Sequence, residues 1–189
     1  IGDEHQKIIG PSPFLTFHGK KEVDNGSEIR YGFQLESGSW KFIRVQHIIQ
    51  KVDWYHIAVT FDRSDDFIFY LNGEEVSRYK WGKKTNGAAP WDNATRYIGG
   101  KEDGGKFLGK IDDVRMWNVV RTQEQIKETI KSRNQPKTGN EPGYQNLVAY
   151  YPMDLNDDNA TWELVDLSPR GNNVKLGRYG AMSRADRNT

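Results

Sequence analysis

The sequence contains no cysteine. Disulfides, zinc–thiolate centres and thiol catalysis are therefore excluded. Long apolar runs are also missing. Only 35% of the residues are hydrophobic and the mean hydropathy is −0.83, so no stretch can serve as a transmembrane helix. Neither sign of charge dominates. The 27 Lys and Arg stand against 26 Asp and Glu, for a net charge of +1, which gives no global field toward nucleic acid or an anionic membrane. No glycine loop suits phosphate, because Gly99-Gly100 and Gly104-Gly105 flank an acidic stretch that would repel it. His5, His18, His47 and His56 lack metal or triad spacing, and no serine sits in a nucleophile-elbow context. No internal repeat is visible. A chain that begins at Ile1 rather than Met reads as a processed product or a fragment.

What the sequence does have is aromatic side chains and short β-patterned runs. Trp, Tyr and Phe make up 12% of the 189 residues, a share that suits β-sandwiches and sugar-binding surfaces. Residues 1–13 are weakly patterned and end in the turn Gly10-Pro11-Ser12-Pro13. Strand patterns follow at 14–17, 29–35 and 39–45. The strongest runs from Trp54 to Asp62, with Tyr55, Ile57, Val59 and Phe61 on one face by the two-residue period. Residues 67–71 and 74–79 flank Asn72-Gly73, which predicts a type I′ hairpin because both turn positions need positive φ. Further strands are expected at 96–100, 107–118 and 147–151. One helix is expected, capped by Thr122 with Gln125 completing a capping box, and with Ile126 and Ile130 on one face. Many short strands, regular turns and a single helix predict an all-β antiparallel sandwich. The expected division is a sandwich over 1–135 and a linker with a C-terminal β/turn segment over 136–189.

Particular runs resemble a known family. Trp54 to Asp62 with Tyr70-Leu71-Asn72-Gly73 resembles the central hairpin of laminin-G-like, concanavalin A-like jelly rolls. Tyr97-Ile98-Gly99-Gly100 and then Phe107 to Asn118 are similar to that family's late strands, and Arg121 to Ile126 to its short helix. Pentraxins share this order of elements. Leu147 to Asp154, with Asp166 to Asn173, resembles a segment that often borders such domains in bacterial multidomain proteins. The family usually has two or three strands ahead of the equivalent of Ile8. These are not legible here, so either a partner chain, a preceding domain or the C-terminal tail is expected to supply them, or Ile1 is a cut end.

The resemblance implies a calcium site. Glu102-Asp103 follows Gly99-Gly100 where pentraxins place an acidic calcium loop, with Lys101 in place of an acid, and Asp24-Asn25 matches a pair in an early loop. Taken as residues alone, both segments also read as ordinary polar turns. Asp154, Asp157, Asp158 and Asn159 are a further oxygen-rich cluster, read as a solvated turn. Asp112-Asp113 reads as structural, accepting backbone N–H groups or holding a buried cation. A glycosidase reading of Glu22, Asp24 and Glu28 fails on spacing, because Asn25-Gly26-Ser27 interrupts the strand and Glu28 falls one residue late. Trp81 and Trp91 stand in the loop of 80–95 with Asp92 and Asn93 and near Arg96, where aromatic faces can stack on sugars or fold back over a sandwich edge. Trp40, Trp54 and Trp117 are expected in the core.

The expected function is a non-catalytic extracellular or cell-surface recognition module that binds carbohydrate or glycoconjugate, with calcium as the cofactor the resemblance implies. Glycan or glycoprotein is the expected partner, with a homo-oligomer or neighbouring domain as a second one. Nucleic acid and membrane insertion are not expected. A structural or adhesive protein-binding module is the alternative, and a glycan-active hydrolase the least favoured reading.

Overall fold

The structure is a computed structural model. It describes residues 5–10, 14–18, 28–34, 40–46, 53–61, 66–80, 97–100, 107–131, 143–153 and 163–175. In chain order the elements are β1 (His5–Gly10), β2 (Phe14–His18), β3 (Glu28–Gln34), β4 (Trp40–Gln46), β5 (Ile57–Phe61), β6 (Asp66–Leu71), β7 (Glu74–Lys80), β8 (Tyr97–Ile98), β9 (Val114–Trp117), α1 (Gln123–Lys131), a 3-10 turn (Tyr144–Asn146), β10 (Leu147–Tyr151), β11 (Glu163–Leu164) and β12 (Val174–Lys175). The chain divides into two compact units, Ile1–Gly109 with Val120–Asn134, and Lys110–Val119 with Gln135–Thr189.

The first unit holds two antiparallel sheets. One has five strands in the order β4-β3-β2-β1-β8, the other three in the order β5-β6-β7. Successive residues of a strand face opposite sides. On the five-stranded sheet Ile29, Ile43 and Val45 are buried on one side, and Leu15 and Tyr31 join them. On the three-stranded sheet Phe67 and Phe69 are buried, with Ile57, Val59 and Phe61 packed against the same cluster. Phe61 stacks on Phe67 with centroids 3.9 Å apart, and Tyr31 meets Phe69 edge-on at 6.3 Å. Burial pushes the Tyr31 phenol well above its ordinary range. The predicted all-β sandwich is therefore the observed fold, and one α-helix is present among the described residues.

The hairpin and the helix are built as their residues dictate. Asn72 and Gly73 take φ of 52° and 82°, as a type I′ turn requires. The Asn72 N–H donates to His56 C=O at 2.8 Å, and Asn72 Oδ1 accepts the His56 N–H at 2.9 Å. That pairing occupies the chain before β5, so the strand starts at Ile57 rather than at Trp54. Trp54 is consequently 51% exposed, not a core residue as its sequence context suggests. In α1, Thr122 Oγ1 accepts the Gln125 N–H at 3.3 Å, and Gln125 Oε1 accepts the Thr122 N–H at 3.0 Å, completing the capping box. The helix lies against the hairpin tip. A Cβ placed on Gly73 would fall 2.7 Å from Lys127 Cγ and 3.2 Å from Ile130 Cδ1. Glu74 ties the two together through Lys127 Nζ at 2.7 Å and Gln123 Nε2 at 2.8 Å.

The second unit has two short sheets, β10 with β9 and β11 with β12. Residues 107–113 are not strand, contrary to the expected run from 107 to 118, and Asp113 takes a positive φ of 54°. Its carboxylate lies 2.9 Å from Arg115 Nε. The Arg115 guanidinium in turn lies 4.6 Å from the centre of the Tyr150 ring, on the strand directly opposite. The Arg115 guanidinium is thus a cation held beside Asp113.

Asp166 is the polar centre of this unit, at 5% exposure. Its Oδ1 accepts the N–H groups of Tyr150 (2.7 Å) and Ser168 (2.8 Å), and its Oδ2 accepts the Asn172 N–H (2.7 Å). The Ser168 hydroxyl is 2.8 Å from the same Oδ2 and 3.1 Å from Val148 C=O. Burial opposes the charge on Asp166, but these donors outweigh it and hold the carboxyl below its usual range.

Candidate carbohydrate-binding face

The register of the five-stranded sheet decides what its outer side presents. Ile29 is level with Phe17 and Val45, and Tyr31 with Leu15 and Ile43, which makes these the core ranks. The alternate ranks belong to the opposite side. One runs His5, His18, Glu28, Gln46 across β1, β2, β3 and β4. The next runs Lys7, Thr16, Arg30, Arg44. Phe14, Gly32 and Phe42 share a third.

Within this face Arg30 Nε donates to Glu28 Oε1, and Gln46 Nε2 donates to Glu28 Oε2 at 3.2 Å. Arg44 and Gln46 are exposed, while Glu28 and Arg30 are half-buried. Partial burial raises the Glu28 carboxyl, but the bonds from Arg30 and Gln46 and the charges of Arg30 and Arg44 lower it further, for a net downward shift. A carboxylate held ionised in this way is a hydrogen-bond acceptor and a poor general acid. That argues, independently of spacing, against a general-acid role for Glu28.

Asp24 and Asn25, Glu102 and Asp103, and Trp81, Trp91, Asp92, Asn93 and Arg96 all lie outside the described residues, as does the cluster from Asp154 to Asn159. The structure describes the neck of the 101–106 segment. There the Phe107 N–H donates to Gly99 C=O at 2.9 Å, and Gly99 and Gly100 take φ of 83° and 124°. Among the described residues no group of three or more His, Cys, Asp or Glu could hold a metal ion, and no helix is long and apolar enough to cross a membrane.

Sequence reasoning passed over both the polar face and the Asp166 centre. The face had a signal in the polar phase of two strands, Glu28 and Arg30 in one and Arg44 and Gln46 in the other. The Asp166 centre had one in Asp-x-Ser followed by Asn172-Asn173, side chains that bond to nearby backbone.

A family model of the laminin-G type, described as the concanavalin A-like lectin/glucanases superfamily, matches residues 9–127. The chain belongs to that superfamily. The match runs from the last two residues of β1 through β9 and into α1. Among solved structures, this chain is similar to a Bacteroides ovatus ATCC 8483 protein provisionally named a carbohydrate binding protein. The identity is 25% and the TM-score 0.58, over 87% of this chain and 45% of the other. The chain thus spans less than half the length of that relative. An S-layer domain-containing protein from Clostridium thermocellum ATCC 27405, residues 221–444, aligns at 21% identity with a TM-score of 0.34, over 67% of this chain and 63% of that one. No curated protein matches the chain.

Proposed function

We propose that this chain is a non-catalytic carbohydrate-binding module that works outside the cell or on its surface. The observation that carries the reading is the outer face of the five-stranded sheet. It presents hydrogen-bonding groups, the exposed Arg44 and Gln46 beside the half-buried bonded pair Glu28 and Arg30, backed by an apolar core. Sugar hydroxyls need directed donors and acceptors, which these groups supply. Membership of a lectin/glucanase superfamily and the name of the Bacteroides relative support it. Fold alone does not settle function, so the site must be tested.

Calcium at Asp24, Asn25, Glu102 and Asp103, and sugar stacking on Trp81 and Trp91, are the two refinements we attach to this reading. The test is a glycan array probed with the purified chain, once with calcium and once with chelator. Binding in both conditions is expected if the sheet face or the aromatic loop carries it. Binding lost with chelator assigns the site to the acidic loops. No binding in either condition overturns the reading. It would favour a protein-binding, adhesive module, for which Leu108, 74% exposed, is the first residue to replace. Assembly with a second copy or a neighbouring domain belongs to the same proposal, and light scattering that gives a monomer would remove the second copy.

A further inference from the structure

We infer that Asn72 is a self-modification site, an asparagine that keeps its amide while α1 is seated on the hairpin tip and loses it spontaneously when the helix lifts away. Asn72 is followed by Gly73, whose backbone nitrogen no side chain of its own shields. The reaction is an attack by that nitrogen, after loss of its proton, on Asn72 Cγ. The N–Cγ bond forms, the Cγ–Nδ2 bond breaks and ammonia leaves. Water from the solvent then opens the succinimide ring. Opening at Cγ gives aspartate. Opening at the main-chain carbonyl gives isoaspartate, whose backbone runs through the former side chain.

Two features of the folded turn oppose the attack. Asn72 is exposed, but its amide is held, since Oδ1 accepts the His56 N–H at 2.9 Å and the Asn72 N–H donates to His56 C=O at 2.8 Å. The side chain must leave His56 before Cγ can turn toward Gly73. Gly73 is buried, and α1 closes over it so tightly that a Cβ there would fall 2.7 Å from Lys127 Cγ and 3.2 Å from Ile130 Cδ1. Its N–H must meet solvent base to lose a proton, so the helix has to move first. The polar ties that seat the helix here run through Glu74, to Lys127 Nζ at 2.7 Å and Gln123 Nε2 at 2.8 Å, and Glu74 is exposed. Exposed ion pairs hold weakly, which places this opening among the low-cost fluctuations of the native state. The two products differ in consequence. Aspartate keeps an oxygen for the His56 N–H. Isoaspartate adds a main-chain atom to a two-residue turn closed by Leu71 opposite Glu74, so the tip no longer fits under α1. The turn thereby records the time it has spent open.

The test ages the full 189-residue chain at about pH 8, in buffer and in unfolding urea, and maps its digest by mass spectrometry. Deamidation adds about 1 Da, and an isoaspartate-specific methyltransferase separates the two products. Asn25-Gly26 and Asn86-Gly87 serve as references in the same digest. In urea Asn72 should react as fast as the references. In buffer it should react at least about tenfold slower than in urea, because only the open fraction reacts. Ile130→Ala, checked for packing by near-UV circular dichroism, should raise the rate in buffer about threefold and leave the rate in urea unchanged. Chains enriched in isoaspartate should exchange the amide hydrogens of α1 faster than fresh chains. Equal rates for Asn72 in buffer and urea overturn the inference, as does an Asn72 that stays intact in urea while the references react. A folded Ile130→Ala with an unchanged rate in buffer removes the helix as the cover. Unchanged exchange in α1 after isoaspartate has formed refutes the loss of seating.

Discussion

The two units of this chain reach stability by opposite means. The first packs aromatic and aliphatic side chains between two sheets, with Phe61, Phe67, Phe69, Tyr31 and Ile29 at the centre. The second has, among the described residues, two two-stranded sheets and a buried carboxylate, Asp166, that gathers three backbone N–H groups and a hydroxyl. The difference follows from size. Among the described residues, eight strands supply two broad faces whose apolar areas cover one another, whereas four short strands bury little surface. A buried polar centre holds such a small unit only if every group is satisfied, which the Asp166 oxygens achieve.

The contrast can be broken from either side. Phe67→Ala should cost the most, about 3–5 kcal/mol, since it empties a fully buried ring position and removes the stack on Phe61. Urea unfolding should show a lower midpoint, and a change below about 1 kcal/mol would refute the apolar account of the first unit. Asp166→Asn should come next, at about 2–4 kcal/mol at pH 7, because an amide NH₂ would face N–H donors that now meet a carboxylate. The pH dependence sharpens this. The folded carboxyl sits below the unfolded value of about 3.9, so its contribution is complete above that pH. The contribution is then lost as the pH falls through the lower folded value. Unfolding curves at pH 7 and pH 3 should therefore converge for wild type and Asp166→Asn as acid is added. A gap that stays constant would refute the electrostatic part.

Two glycines carry the comparison further. Gly73 and Gly171 both have positive φ, 82° and 59°, but a Cβ on Gly73 meets α1, and one on Gly171 meets nothing within 4 Å. Gly73→Ala should cost about 2 kcal/mol and Gly171→Ala about 1, the second figure being the backbone term alone. Equal shifts in melting temperature would mean that the hairpin–helix contact adds nothing. The smallest effect belongs to the helix cap. Thr122→Ala should remove about 1 kcal/mol, and Thr122→Ser should restore it in the same thermal melts.

The parts of this molecule set by local rules were legible in the sequence. Asn72-Gly73 demanded its turn because both positions need positive φ, and Thr122 with Gln125 announced a helix start. Alternation along 57–61 named the core face of β5. What was not legible depended on pairing. β1 hides in a weakly patterned segment, because its partners β2 and β8 are fixed only once the sheet has formed. The polar face needs four strands in register before Lys7 and Arg44 share a rank. Asp113 turns back on Arg115 through a positive φ that asparagine and aspartate tolerate, so a run that looks like strand is not one. The family resemblance supplied the fold, and the site it implied falls on segments outside the described residues.

The pairing of β1 with β8 also bears on how the chain folds. Ile9 is level with Ile98, so this junction joins points about ninety residues apart, at a closure cost of about 4 kcal/mol. β2, β3 and β4 follow one another as a meander, and β5, β6 and β7 as another, so both can form from neighbouring segments. The two-residue strand β8 gives little back for that long closure. The five-stranded sheet should therefore gain this edge late, and the folding rate of the first unit should be set by it rather than by either meander.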